Sequence, residues 1–183
     1  MKNTIFTLCL VAIFFTSCKK EVNPFLISKN NIGLLTDSTK VKDLETVFAN
    51  DSVVKRISGD GFTGRISDIE IYDKTGKQLL TLSPNQDLDS TATINTVKVI
   101  DQRYKTEKGL NTTSTFADIK NNYTISSIQN TLRNIVVFVN EINAFFTIDK
   151  MELPAELRID MSKKIEAIHI PDSAKIKHFM IGW

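Results

Sequence analysis

Both cysteines of this chain, Cys9 and Cys18, fall within its first 18 residues. Whatever folds after them must hold together without a disulfide or a thiolate–metal bond. Those residues, MKNTIFTLCLVAIFFTSC, are also set apart in composition. Lys2 gives a positive start, Ile5 to Phe15 an uncharged apolar run, and Thr16-Ser17 two small residues before Cys18. That is the anatomy of a cleaved export leader. A membrane-spanning helix needs about 20 apolar residues, and this run is shorter and passes at once into Lys19-Lys20-Glu21. Residues 1–17 are therefore expected to be removed, delivering the body to a compartment that permits disulfides it does not use. Its stability must come from an apolar core, and 42% of all residues are apolar.

The segment Phe15-Thr16-Ser17-Cys18 resembles the lipobox of bacterial lipoproteins. The resemblance implies cleavage before Cys18, acylation of its sulfur and new amine with palmitate-like chains, and attachment to a membrane without crossing it. Acyl chains contribute about 0.8 kcal/mol per buried CH₂, so two or three of them anchor stably. Lys19 rather than an aspartate follows the cysteine. The usual inner-membrane retention cue is thus absent, which implies the outer membrane. Glu21 is the only acid close behind, so the periplasmic leaflet is favoured over the cell surface. The aromatic residue in the lipobox and the Lys-, Asn- and Ile-rich style resemble an uncharacterised Bacteroidota lipoprotein family.

Of the 23 lysines and arginines only Lys2 leaves with the leader, against 21 acids that all stay. A body this close to neutral has no basic field to recruit nucleic acid and no acidic tail.

Residues 18–24 read as a lipidated tether ending at Pro24, and Phe25-Leu26-Ile27 begins the first strand. A pattern then occurs twice. Gly33-Leu34, a Thr/Ser-rich stretch, Val41, Leu44 and Phe48 are echoed by Gly109-Leu110, a second Thr/Ser stretch, Phe116, Ile119 and Tyr123. The apolar spacing i, i+3, i+7 predicts one face of a short helix in each copy. Thr115 and Asp118 form a capping-box pattern at the second helix, and Ser38 or Thr39 is expected to cap the first. Strands are expected at Ile66–Tyr72, Gln78–Leu82, Ile94–Asp101, Ile125–Thr131, Ile135–Asn140, Ala144–Asp149, Ile165–Ile170 and Ile176–Trp183. Leu153–Leu157 suggests a single helical turn.

These elements predict an α+β protein of two pseudo-repeats, residues 25–104 and 105–183, each a short helix packed on an antiparallel β meander. The two could share one domain. The repeated opening resembles the helix-plus-sheet repeats of the β-lactamase-inhibitor-protein type and of the small lipoprotein of the outer-membrane β-barrel assembly machinery. No functional residue of those families carries over.

Local motifs for chemistry are sparse. His169 and His178 are the only histidines, too few for a local metal cluster. Asn85-Gln86-Asp87-Leu88-Asp89 begins like a calcium loop but lacks the following glycine and the closing glutamate. Asp68 and Glu70 share one strand face and do not oppose each other across a cleft. There is no nucleophile elbow, phosphate loop or zincin helix, so no catalytic residue, metal or cofactor is expected. Asp-Ser followed by a small or apolar residue occurs at Ser38, Ser52, Ser90 and Ser173. It resembles the O-glycosylation acceptor of exported Bacteroidota proteins, although Asp-Ser also suits turns for backbone reasons alone.

The resulting expectation is a non-enzymatic envelope lipoprotein, held to the membrane through Cys18, whose body binds a protein or envelope partner. The alternative is a small-molecule or glycan-binding lipoprotein accessory to uptake, using an aromatic platform from Phe62, Tyr72, Tyr104 or Trp183. A hydrolase with a dispersed site is the third class.

Overall fold

The computed structural model describes residues 23–58, 66–159 and 161–183. Cys18 and residues 59–65 lie outside the described residues.

Three short strands open the chain: β1 (Leu26–Ser28), β2 (Asn31–Ile32) and β3 (Leu35–Thr36). A 3-10 turn at Val41–Asp43 leads into the four-residue helix α1 (Leu44–Val47). Then come β4 (Ser52–Ser58), β5 (Ile66–Tyr72), β6 (Gln78–Pro84), β7 (Ile94–Val99) and β8 (Lys105–Thr106). Helix α2 (Phe116–Asn122) precedes β9 (Ser127–Asn130), β10 (Asn134–Val139), β11 (Ala144–Asp149) and β12 (Ile176–Gly182).

The strands form two sheets. One has four short strands in the order β3-β2-β1-β8, and the other has eight in the order β4-β5-β6-β7-β12-β11-β10-β9. Every pairing of the large sheet is antiparallel. Its two meanders join at β7 and β12, where Phe179 faces Val99 and Ile181 faces Val97. Period-two alternation sends one side of each strand into the core. Ile69, Ile71, Leu80, Leu82, Val97, Val99, Val137, Phe146, Phe179 and Ile181 are buried on that side. The small sheet and the helices add Ile27, Ile32, Leu35, Leu44, Phe116 and Ile119 to the same core.

The expectation of an α+β protein built from two helix-on-meander repeats is corrected by this architecture. The described residues are mostly β, with α-helices of only four and seven residues, short 3-10 turns and one continuous eight-stranded sheet. The reason is length. Helices this short bury one or two apolar residues each and cannot form a layer against which a separate meander packs. Two local expectations also fall. Residues 165–170 form no strand; Ala167–His169 is a 3-10 turn between buried Ile165 and Ile170. Neither Ser38 nor Thr39 caps the first helix: Lys40 stands at the N-cap with no side-chain cap bond, and the Thr39 hydroxyl accepts from the Thr36 N–H at 2.9 Å. At α2 the Asp118 carboxylate does accept from the Thr115 N–H, at 2.7 Å.

Candidate functional site

Antiparallel register places one residue from each strand of the large sheet in a row on the face away from the core. The row reads Val54, Glu70, Thr81, Lys98, Met180, Phe145, Phe138, Ser127. None of the eight is buried, whereas in the six inner strands β5, β6, β7, β12, β11 and β10 their neighbours of opposite parity are. This open face is the candidate functional site.

Its two halves differ in chemistry. On the β4–β7 side, Arg56 Nε donates to Glu70 Oε2 at 2.5 Å, and the Tyr72 hydroxyl donates to the same oxygen at 2.7 Å. The Arg56 bond, then that of Tyr72, holds the Glu70 carboxyl below its ordinary range. Ser83 Oγ donates to Asp68 at 2.7 Å. Asp68 and Glu70 are therefore both engaged in cross-strand bonds and do not converge as a catalytic pair. On the β9–β12 side the row is apolar from Met180 through Phe145 to Phe138 and ends on Ser127. The Phe138 and Phe145 rings lie 5.8 Å apart and 25° from parallel. Phe145 reaches over Gly182, where an added Cβ would come within 3.3 Å of the ring, so the glycine makes room for the aromatic.

Lys98 sits at the seam, directly across from Met180. No acid lies within ion-pair distance of it among the described residues. His178, on the same face and opposite Thr147, is shifted below its ordinary value by burial and by Lys98 and Lys177.

The residues singled out from the sequence are scattered. Ser38, Ser52, Ser90 and Ser173 are all exposed but lie on four separate segments. The turn role of Asp-Ser is visible at Asp89, whose carboxylate accepts from the Thr91 N–H and hydroxyl, both at 2.7 Å. His169 is drawn into its own turn, where Nδ1 accepts from the Glu166 N–H at 3.1 Å. No group of three metal-ligating side chains occurs among the described residues, and none of their helices is long and apolar enough to cross a membrane. Of the aromatic platform, Phe62 lies outside the described residues and Tyr104 is buried against Phe25. Tyr72 is engaged with Glu70. Trp183 lines an open cavity of about 450 Å³ with Asp37, Ser38, Asn85, Asn95 and Asn143.

Sequence reasoning missed Arg56, Lys98, Phe138, Phe145 and Met180. A signal was present: NIVVFV in β10 and AFFTI in β11 are apolar on both parities, which marks a strand with apolar side chains on both faces.

No family model and no curated protein matches the chain. Its fold is similar to the crystal structure of the uncharacterized protein yfeY from Escherichia coli, with a TM-score of 0.58 at 13% identity. The likeness covers 86% of this chain and 99% of that one. It extends to fold alone, and no enzyme family is indicated.

Proposed function

We propose that the chain is a non-enzymatic lipoprotein of the outer membrane, acylated at Cys18 and facing the periplasm, that binds an envelope protein through the open face of its large sheet. The observation that carries this reading is the apolar strip Met180–Phe145–Phe138 bordered by the cation of Lys98, which has no acid within ion-pair distance among the described residues. Interface cores pair aromatic and methionine anchors with a polar rim. Here the Arg56–Glu70–Tyr72 network supplies a rigid rim, and Lys98 selects a partner with a carboxylate beside an apolar side chain. The leader and the Phe15–Cys18 pattern support the anchor. A photoreactive side chain placed at Phe145 in living cells tests the docking face. It should give a discrete protein adduct that the same group at Glu45, on α1, does not. Equal patterns from both positions would refute the reading.

Capture of a glycan or small molecule is a second reading, favoured by the cavity at Trp183. The ring is fixed there by its Nε1–H donating to the Lys29 carbonyl at 3.2 Å, beside three asparagine amides. Amides and an aromatic ring suit a hydroxyl-rich ligand, and the volume falls in the range of ligand pockets. Quenching of Trp183, the chain's single tryptophan, by oligosaccharides would support it. Unchanged emission across such a panel would dismiss it.

A further inference from the structure

We propose that the end of the large sheet from which the N-terminal tether departs is itself a membrane-contacting surface, with Leu34, Leu132, Met151, Ile159 and Met161 entering the lipid–water interface. This rests on the reading of Cys18 as lipidated.

The ladders fix which features share that end. Ser52 pairs with Tyr72, Tyr72 with Gln78, Asn134 with Asp149, and Ile135 with Asn130. The β5–β6 turn, the exit of β7, the β9–β10 turn and both ends of the β11–β12 connection therefore lie at one end. The described chain begins there too. Phe25 packs against Tyr104 at 5.1 Å and beneath Arg103 at 4.8 Å, just past β7. Its carbonyl accepts from the Lys105 N–H at 2.9 Å.

Exposed apolar side chains concentrate at this end. Among the described residues eight large ones are exposed, and six of them are Leu34, Leu132, Met151, Ile159, Met161 and Ile168. Leu34 lines a small cavity with Pro24 and Phe25. Leu132 occupies the β9–β10 turn. Met151 follows Lys150, whose N–H donates to the Arg133 carbonyl at 3.0 Å. Met161 is tied to β9, its carbonyl accepting from Asn130 Nδ2 at 3.4 Å. Leu88, by contrast, is 57% exposed at the opposite end, in the β6–β7 loop.

Seven residue steps separate Cys18 from Phe25, which spans at most roughly 25 Å even when fully extended. Strands lie about 4.8 Å apart, so the β9–β10 turn is only some four spacings from the tether exit. An acyl anchor on so short a tether keeps this end near the bilayer. Charges here are mixed and partly paired, as in Lys164–Glu166 at 3.0 Å and Lys177–Asp149 at 2.8 Å. The contact is therefore with the acyl boundary and not with anionic headgroups.

The test uses the full lipidated protein carrying one added cysteine, Met151→Cys, Leu132→Cys or, at the far end, Leu88→Cys. Each is labelled with the environment-sensitive dye NBD and reconstituted into phosphatidylcholine vesicles. All three positions are exposed, and an acylated Cys18 does not compete for dye. The dye at 151 and 132 should shift to the blue, brighten several-fold and be quenched by spin-labelled lipid. At 88 it should remain as in water. Adding phosphatidylglycerol should change neither result. Water-like spectra at all three sites on vesicle-bound protein would overturn the proposal and leave lipidation standing. Protein with no acyl mass on Cys18 that fails to float with vesicles would overturn both.

Discussion

Replacing Asp101 by asparagine should destabilise the protein by about 2 kcal/mol at pH 7. The Asp101 side chain has no exposed surface. It accepts from Arg103 Nη2 at 2.8 Å, Arg103 Nε at 3.1 Å, the Arg103 backbone N–H at 2.8 Å and Lys77 Nζ at 3.0 Å. Arg103 in turn reaches Asp73 at 2.7 Å. Burial alone pushes the Asp101 carboxyl up, but the Arg103 and Lys77 bonds outweigh it and bring it from 3.8 down to about 2. At about 1.4 kcal/mol per pKa unit, that difference amounts to about 2 kcal/mol of folding stability. Because the folded value is the lower one, this stabilisation is complete above the unfolded pKa and is lost as pH falls through about 2. The Asp101→Asn change keeps the side-chain volume and removes the charge. The assay is urea unfolding of wild type and variant at pH 7 and at pH 2, each treated as a two-state transition. The stability gap should be about 2 kcal/mol at pH 7 and well under 1 kcal/mol at pH 2. A gap of the same size at both pH values would refute the electrostatic account, as would one near zero at pH 7.

Gly33→Ala should cost about 1–3 kcal/mol by thermal unfolding, because Gly33 has φ +58° and an added Cβ would sit 2.8 Å from the Pro24 carbonyl carbon. It should also expose the Asn23–Phe25 segment to protease, and a wild-type cleavage pattern would count against that packing. Phe146→Ala removes a fully buried ring packed 4.7 Å from Phe179, with an expected loss of about 3–5 kcal/mol in denaturant. A loss below 1 kcal/mol would show that the middle of the large sheet is not where the core is densest.

Most of the large sheet was legible in the sequence because its strands are short apolar runs between turn residues, alternating in Ile66–Tyr72 and apolar at both parities in Ala144–Asp149. Ile66–Tyr72 and Ala144–Asp149 are strands with those limits, and Ile69 and Ile71 do face inward. Other parts were hidden for physical reasons. In β4, Val53-Val54-Lys55-Arg56 carries charge on an edge strand, where only one neighbour requires apolar contact. Strands β2 and β3 are two residues long, too short for any period to register. Ile165-Glu166-Ala167-Ile168-His169-Ile170 alternates like a strand, yet Ile168 is 87% exposed while Ile165 and Ile170 anchor a turn. The open face was hidden because register between β7 and β12, more than 75 residues apart, places Lys98 beside Met180, and local pattern carries no such information.

The most direct test of docking through the open face is the paired variant Phe138→Asp with Phe145→Asp, measured for both folding and association in the intact cell envelope. Both rings are partly solvent-facing, so the melting temperature should stay within a few degrees of wild type. The protein partner that crosslinks through the 145 region should be lost, read by crosslinking from Lys98. Full retention of that partner by a folded double variant would contradict docking through this face.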